Sequence, residues 1–211
     1  NIFKPFAKER MGKSGAILGF IDNDKIIKFN EINTKHNSIN NKNCIYLKYN
    51  FNELLINLIL LNLKYFIKKK NEIKKISLIE PYILKIENAG IKNRNTFIIM
   101  NKIGLLHYDK FYTNLNEIFI NNYIPKLLIC IKENDTKTLD EFNNFLSELL
   151  SKYFRVLKFL NTNLGFIHTD SKTLNIFINK NNKFTRKYKS LKNKGFIVNY
   201  IPLVSDLDKS T

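Results

Sequence analysis

Four residue types with chemical use stand close together late in the chain: His168, Asp170, Lys172 and Asn175, in the pattern H-x-D-x-K-x-x-N. A carboxylate can orient a hydroxyl and accept its proton, an ammonium can neutralise phosphate charge, and a carboxamide oxygen can ligate a hard cation. Phosphoryl transfer asks for that set, because positioning and charge stabilisation are most of what a protein contributes to it. Phe166 and Ile167 precede the cluster, and Ile176, Phe177 and Ile178 follow it. Polar groups wedged between apolar anchors predict a short loop pinned at both ends, the usual setting of a site on a rigid scaffold.

Such a loop needs elements to hold it. Phe142, Phe145, Leu146, Leu149, Leu150, Tyr153, Leu157 and Leu160 recur at three- and four-residue spacing, which predicts an amphipathic helix over 140–160. Thr138 and Glu141 have capping-box spacing at its start, and residues 161–165 end it at a glycine. Near the start of the chain, 16–21 and 25–29 read as strands around the turn signal Asp22-Asn23-Asp24, with Gly12 and Gly15 before them. Alternation puts Ile26 and Lys28 on one strand face and leaves Lys25 on the other.

Residues 51–67 predict a helix that is apolar on several faces, with Glu53 in its first turn. Asn50 and Glu53 also have the spacing of a capping box, so Glu53 has two readings. Lys68, Lys69, Lys70, Lys74 and Lys75 form a solvated basic exit from that helix. Two more strands, 82–87 and 96–100, are expected around a turn at Asn88-Ala89-Gly90. Residues 114–131 are apolar but irregular, broken at Pro125, and 179–194 is a basic, polar excursion. The run Leu203-Val204-Ser205-Asp206-Leu207-Asp208 is an apolar strand that delivers two acids.

The pattern His168 to Asn175 resembles the catalytic loop of protein kinases, H-R-D-x-K-x-x-N. That resemblance implies an α+β, kinase-like two-lobed fold: a small antiparallel β lobe with one helix over 1–100, a hinge at 101–104, and a partial, mainly helical large lobe over 105–211. It implies ATP and Mg²⁺ as cofactors and a protein Ser or Thr hydroxyl as phosphate acceptor. Asp170 would orient that hydroxyl, and Lys172 would neutralise the γ-phosphate. Asn175 and Asp206 would hold metal, and His168 would brace the loop. Lys28, in Lys25-Ile26-Ile27-Lys28, would bind the α- and β-phosphates and pair with Glu53. Gly12 and Gly15 would lie over the phosphates, although they depart from G-x-G-x-x-G. Met100 would back the adenine pocket, and 101–103, with Ile103, would offer backbone groups to the adenine edge.

Several details look similar to the serine/threonine kinases of poxviruses and other large DNA viruses. Thr169 stands where many kinases have arginine, Asp208 replaces the glycine of D-F-G, and the stretch between Asn175 and Asp206 is long. Ile21-Asp22-Asn23 also precedes the lysine strand, as it does in those enzymes. The chain opens on Asn and stops soon after Asp208, before any activation segment, so it reads as a processed or partial chain or a reduced relative. Location in host cytoplasm, and in the virion, follows from the same resemblance.

Composition bounds the alternatives. The 211 residues are 44% apolar, enough for a core, and 35 Lys and Arg against 18 Asp and Glu give a net charge of +17. That balance suits acidic partners, whether nucleic acid, nucleotide, anionic membrane or acidic protein, and also fits codon drift in an AT-rich genome. Cys44 and Cys130 sit in apolar surroundings and read as free buried thiols, the three histidines have no zinc spacing, and no transmembrane segment is expected. Two further readings stand beside a protein kinase: a pseudokinase or basic virion scaffold that binds nucleotide or nucleic acid without catalysis, and a small-molecule kinase.

Overall fold

Strand-forming residues near the start of the chain collect into a single antiparallel sheet. A computed structural model describes residues 4–5, 17–20, 25–31, 52–92 and 95–205. Five strands, β1 (Lys4–Pro5), β2 (Ile17–Phe20), β3 (Lys25–Glu31), β4 (Ile86–Lys92) and β5 (Asn95–Asn101), pair in the order β1-β2-β3-β5-β4. The turn expected at Asn88-Ala89-Gly90 is not there. β4 runs straight through these residues and pairs as far as Lys92 with Asn95. Gly90 faces Phe97, and a Cβ at 90 would stand 3.2 Å from the Phe97 ring, so the glycine serves close cross-strand packing rather than a turn. Residues 82–85 are not strand either, since a 3₁₀ turn (Glu80–Tyr82) precedes β4.

The helix expected over 51–67 is observed as α1 (52–61) and α2 (Leu63–Phe66), separated at Asn62, whose side-chain amide donates to the Leu58 carbonyl. The basic stretch after it is not a simple exit. Lys70–Ile79 forms α3, because Ile76 and Ile79 bury one face while Lys68, Lys69 and Lys74 remain exposed.

Residues 114–131 are helical rather than irregular. A two-stranded hairpin, β6 (Leu105–His107) and β7 (Lys110–Tyr112), leads into α4 (Leu115–Ile118), a π-helical turn (Phe119–Tyr123) and α5 (Ile124–Lys132). Pro125 lies in the first turn of α5, directly after the π turn, a position that helices tolerate for proline. Asn114 caps α4 by accepting from the Glu117 N–H.

The predicted long helix is α6 (Thr136–Leu164), longer than expected at both ends. Its cap is Asp135, which accepts from the Thr138 N–H and hydroxyl, and not the Thr138–Glu141 box. Gly165 ends it in the left-handed conformation, φ 69°. Phe142, Phe145, Leu149, Tyr153, Val156 and Leu160 form its buried face. They pack with α4, α5 and the hairpin of β8 (Ile176–Lys180) and β9 (Tyr200–Val204) in the main core.

The excursion between β8 and β9 is docked as well as basic. Phe184, Tyr188 and Leu191, the last on α7 (Lys189–Asn193), are buried in the same core. Three acids of the α6 region receive it. Lys187 and the Tyr188 hydroxyl donate to Glu148 at 2.5 and 2.9 Å, Lys194 pairs with Asp135, and Ser190 bonds to Glu141. The protein is thus a mixed α+β fold with small antiparallel sheets. No described helix is long and apolar enough to cross a membrane.

Phe145 touches the rings of Tyr123, Phe142, Phe184, Tyr188 and Tyr200. Phe145→Ala should therefore cost ~3–5 kcal/mol in urea denaturation, since so many rigid neighbours cannot close the cavity. Hydrogen bonds from Lys152, then Lys187, hold the Glu148 carboxyl at a pKa of about 2, and those from Lys194 and Thr138 do the same for Asp135. Both values are depressed, so the stability they lend is complete above the unfolded value of ~4 and is lost as pH falls toward about 2. The melting temperature should drop across that window, and Glu148→Gln should flatten the drop.

Candidate active site

Gly165 turns the chain out of α6, and buried Phe166 anchors the first side of the loop. The Asn161 side chain holds the Phe166 carbonyl at 3.2 Å. On the other side a 3₁₀ turn (Thr173–Asn175) leads into β8. The loop between is closed on itself: the Lys172 N–H donates to the Asp170 carbonyl at 2.9 Å, and the Asn175 N–H to the Lys172 carbonyl at 2.8 Å. Asn175 Nδ2 also donates to the Asp170 carbonyl, at 3.0 Å. This use of the nitrogen leaves Oδ1 as the atom that Asn175 can offer to a cation. These bonds fix the backbone of Asp170 without engaging its carboxylate.

That carboxylate lies 3.1 Å from Lys172 Nζ, with the Asp170 side chain 20% exposed and that of Lys172 53% exposed. With the lysine end more than half exposed, the pair itself is worth ~1 kcal/mol or less. His168 packs its ring 6.2 Å from that of Phe166, as a brace would. Ser205, which follows β9 and is fully buried, donates its hydroxyl to the Asn175 carbonyl at 2.9 Å. Thr173 reaches back to Asn116 Oδ1 at 3.1 Å and so ties the loop to α4.

A second group lies on the five-stranded sheet. Lys28 Nζ stands 2.6 Å from Glu53 Oε1 and 2.8 Å from Oε2, a contact between β3 and the first turn of α1. The two side chains are only 15% and 6% exposed. The rival Lys25 points to the opposite face and pairs with Glu87 at 2.9 Å. Register places Ile26 opposite Met100 and Lys28 opposite Ile98, so the nearest neighbours of Lys28 toward Met100 on that face are apolar. Met100 and Ile103 are buried there with Leu84, Ile86 and Leu203, and Phe177 packs against them. Phe177 and Leu203 belong to the β8–β9 hairpin, so this cluster joins the sheet to the hairpin that carries Asn175 and Ser205.

Gly104 follows Ile103 with φ 120°, and its backbone bridges Asn179. A Cβ there would meet the Tyr112 carbonyl at 2.5 Å, so no other residue fits this connection. The structure therefore brings Lys28 to Glu53, Asp170 to Lys172 and Asn175, and Met100 to Ile103. Gly12, Gly15, Asp206 and Asp208 lie outside the described residues. Sequence reasoning missed Ser205, Thr173, Asn116, Asn161 and Gly104. A serine directly before a candidate metal-binding aspartate was the one local signal among them.

No family model matches the chain, and no curated protein matches it.

The Lys28–Glu53 contact is nearly buried, so removing one partner takes a close ion pair from a charge held away from water. Lys28→Met should cost ~3 kcal/mol by chemical denaturation, whereas the pair Lys28→Met with Glu53→Leu should recover most of that loss. A double variant as unstable as the single one would show that the contact does not couple the strand to the helix.

Proposed function

We propose that this protein is an ATP- and Mg²⁺-dependent protein kinase of the serine/threonine type, with a kinase-like two-lobed arrangement. The small lobe is 1–100, the hinge 101–104, and the rest belongs to the large lobe. The observation that carries the reading is the Lys28–Glu53 pair. It joins a strand lysine to a glutamate 25 residues later on the following helix, on the sheet face continuous with Met100 and Ile103. A loop that presents Asp170, Lys172 and Asn175 follows in the order this chemistry asks for. Five antiparallel strands with a helix after the third support the small lobe.

On this reading Lys28, held rigid by Glu53, positions the α- and β-phosphates. Ile26, Met100 and Ile103 give the base an apolar wall, and the backbone beside Ile103 meets its polar edge. Asp170 orients the acceptor hydroxyl and takes its proton as the new O–P bond forms and the bond from the γ-phosphorus to the β–γ bridging oxygen breaks, releasing ADP. Lys172 then shifts to the phosphoryl oxygens, where negative charge gathers. Bound Mg²⁺ would supply charge neutralisation across the β- and γ-phosphates. Asn175, with its amide nitrogen engaged, offers Oδ1 to it, and Asp206 is its proposed second protein ligand. The exposed ammonium of Lys172 beside Asp170 favours an aliphatic hydroxyl acceptor.

Asp170→Ala should abolish transfer of labelled γ-phosphate to a serine- and threonine-rich protein substrate such as casein, at unchanged melting temperature. Transfer that survives this substitution removes the assignment. Stabilisation by ATP with no transfer in the unsubstituted chain would point instead to a nucleotide-binding module.

A further inference from the structure

Residues 180–194, between β8 and β9, hold seven Lys or Arg (positions 180, 183, 186, 187, 189, 192 and 194) and no acid, where the whole chain has 35 in 211. Three of the seven have structural work. Lys187 binds Glu148, Lys194 binds Asp135, and Lys183 donates to the Tyr82 hydroxyl at 3.3 Å. The other four, Lys180 at the end of β8 and Arg186, Lys189 and Lys192 beyond it, are exposed and make no ion pair among the described residues. On α7, Leu191 points into the core and Ser190 toward Glu141, which turns Lys189 and Lys192 outward at i, i+3 spacing. Arg186 stands three residues earlier in the preceding turn.

Every large apolar side chain of this segment is buried: Phe184, Tyr188 and Leu191 all face the core. Its outer face therefore has no anchor of the kind that dominates protein–protein hot spots, and no wedge for a membrane interface. With the rings buried it has no surface for stacking bases. What remains is a row of cations on a rigid support, with no acid in the segment itself and with Asp135 and Glu148 already engaged by Lys194 and Lys187. This face suits a ligand whose charges repeat along a chain. We propose that the outer face of 180–194, through Arg186, Lys189 and Lys192, binds the phosphate backbone of nucleic acid without reading its bases. It depends on no part of the kinase assignment, since none of these residues belongs to that site.

The test is fluorescence anisotropy of the full chain with two labelled DNA duplexes of unrelated sequence, ~20 base pairs long, titrated with salt around ~100 mM. The triple variant Arg186→Glu, Lys189→Glu, Lys192→Glu should lose about tenfold or more in affinity and flatten the dependence of log K on log salt by up to ~3. The control variant Lys68→Glu, Lys69→Glu, Lys74→Glu reverses as much charge elsewhere and should change affinity less than about threefold. If the first triple variant melts early, Arg186→Gln, Lys189→Gln, Lys192→Gln gives the same comparison without charge reversal. Equal losses in both triple variants would mean diffuse attraction and overturn the proposal. So would absence of duplex binding, or poly-glutamate binding as tight as DNA, which would indicate an acidic protein partner. A strong preference for one duplex would overturn backbone-only recognition.

Discussion

The buried face of α6 is what the other elements are assembled against. Phe142, Phe145, Leu149, Tyr153, Val156 and Leu160 are all withdrawn from water, each worth about 1.5–3 kcal/mol in burial. The α4–α5 run, the β8–β9 hairpin and the docked segment 180–194 share its core, together with residues of α1 to α3 and the β6–β7 hairpin. Asp135 and Gly165 cap the helix at its two ends, so its length and burial set where the chain leaves at residue 166. The position of the polar loop is thus a consequence of hydrophobic packing, while its internal shape comes from hydrogen bonds.

Those hydrogen bonds follow a simple division. Backbone carbonyls of Phe166, Asp170, Lys172 and Asn175 are each engaged by a fixed donor, while the Asp170 carboxylate lies beside an exposed lysine. On the proposed function, a rigid backbone beneath a charged side chain suits catalytic positioning. The Lys28–Glu53 pair solves the opposite problem. Its charges are nearly buried, so their mutual attraction offsets part of the cost of holding both away from water. The apolar cluster around Met100, Ile103, Phe177 and Leu203 joins these two regions, so packing in one is felt in the other.

Charge in this chain is unevenly spent. Glu53, Asp135 and Glu148 each hold a lysine at a joint between elements. Acids are few in a chain of net charge +17, and their use inside the structure leaves the surplus cations facing outward. The segment 180–194 shows both uses in fifteen residues: lysines at 187 and 194 fasten it, and its remaining outer cations set the surface potential there.

What the sequence determined by itself was what neighbours in the chain can decide. The three- and four-residue recurrence from Phe142 to Leu160 marked α6, and alternation in β3 separated Lys28 from Lys25. The H-x-D-x-K-x-x-N spacing marked the loop, because a loop of that length brings its own residues together. That Lys28 meets Glu53 was implied by the resemblance and not by local pattern; the contact spans 25 residues and depends on how α1 lies against the sheet. Only the tertiary structure decided that Pro125 begins a helix, that Gly90 sits in a strand under Phe97, and that Asp135 rather than Thr138 caps α6. The docking of 180–194 was hidden for the same physical reason. Three apolar residues among seven cations have little local signal, and their burial follows only once α6 supplies the facing aromatic row and the acids that receive Lys187 and Lys194.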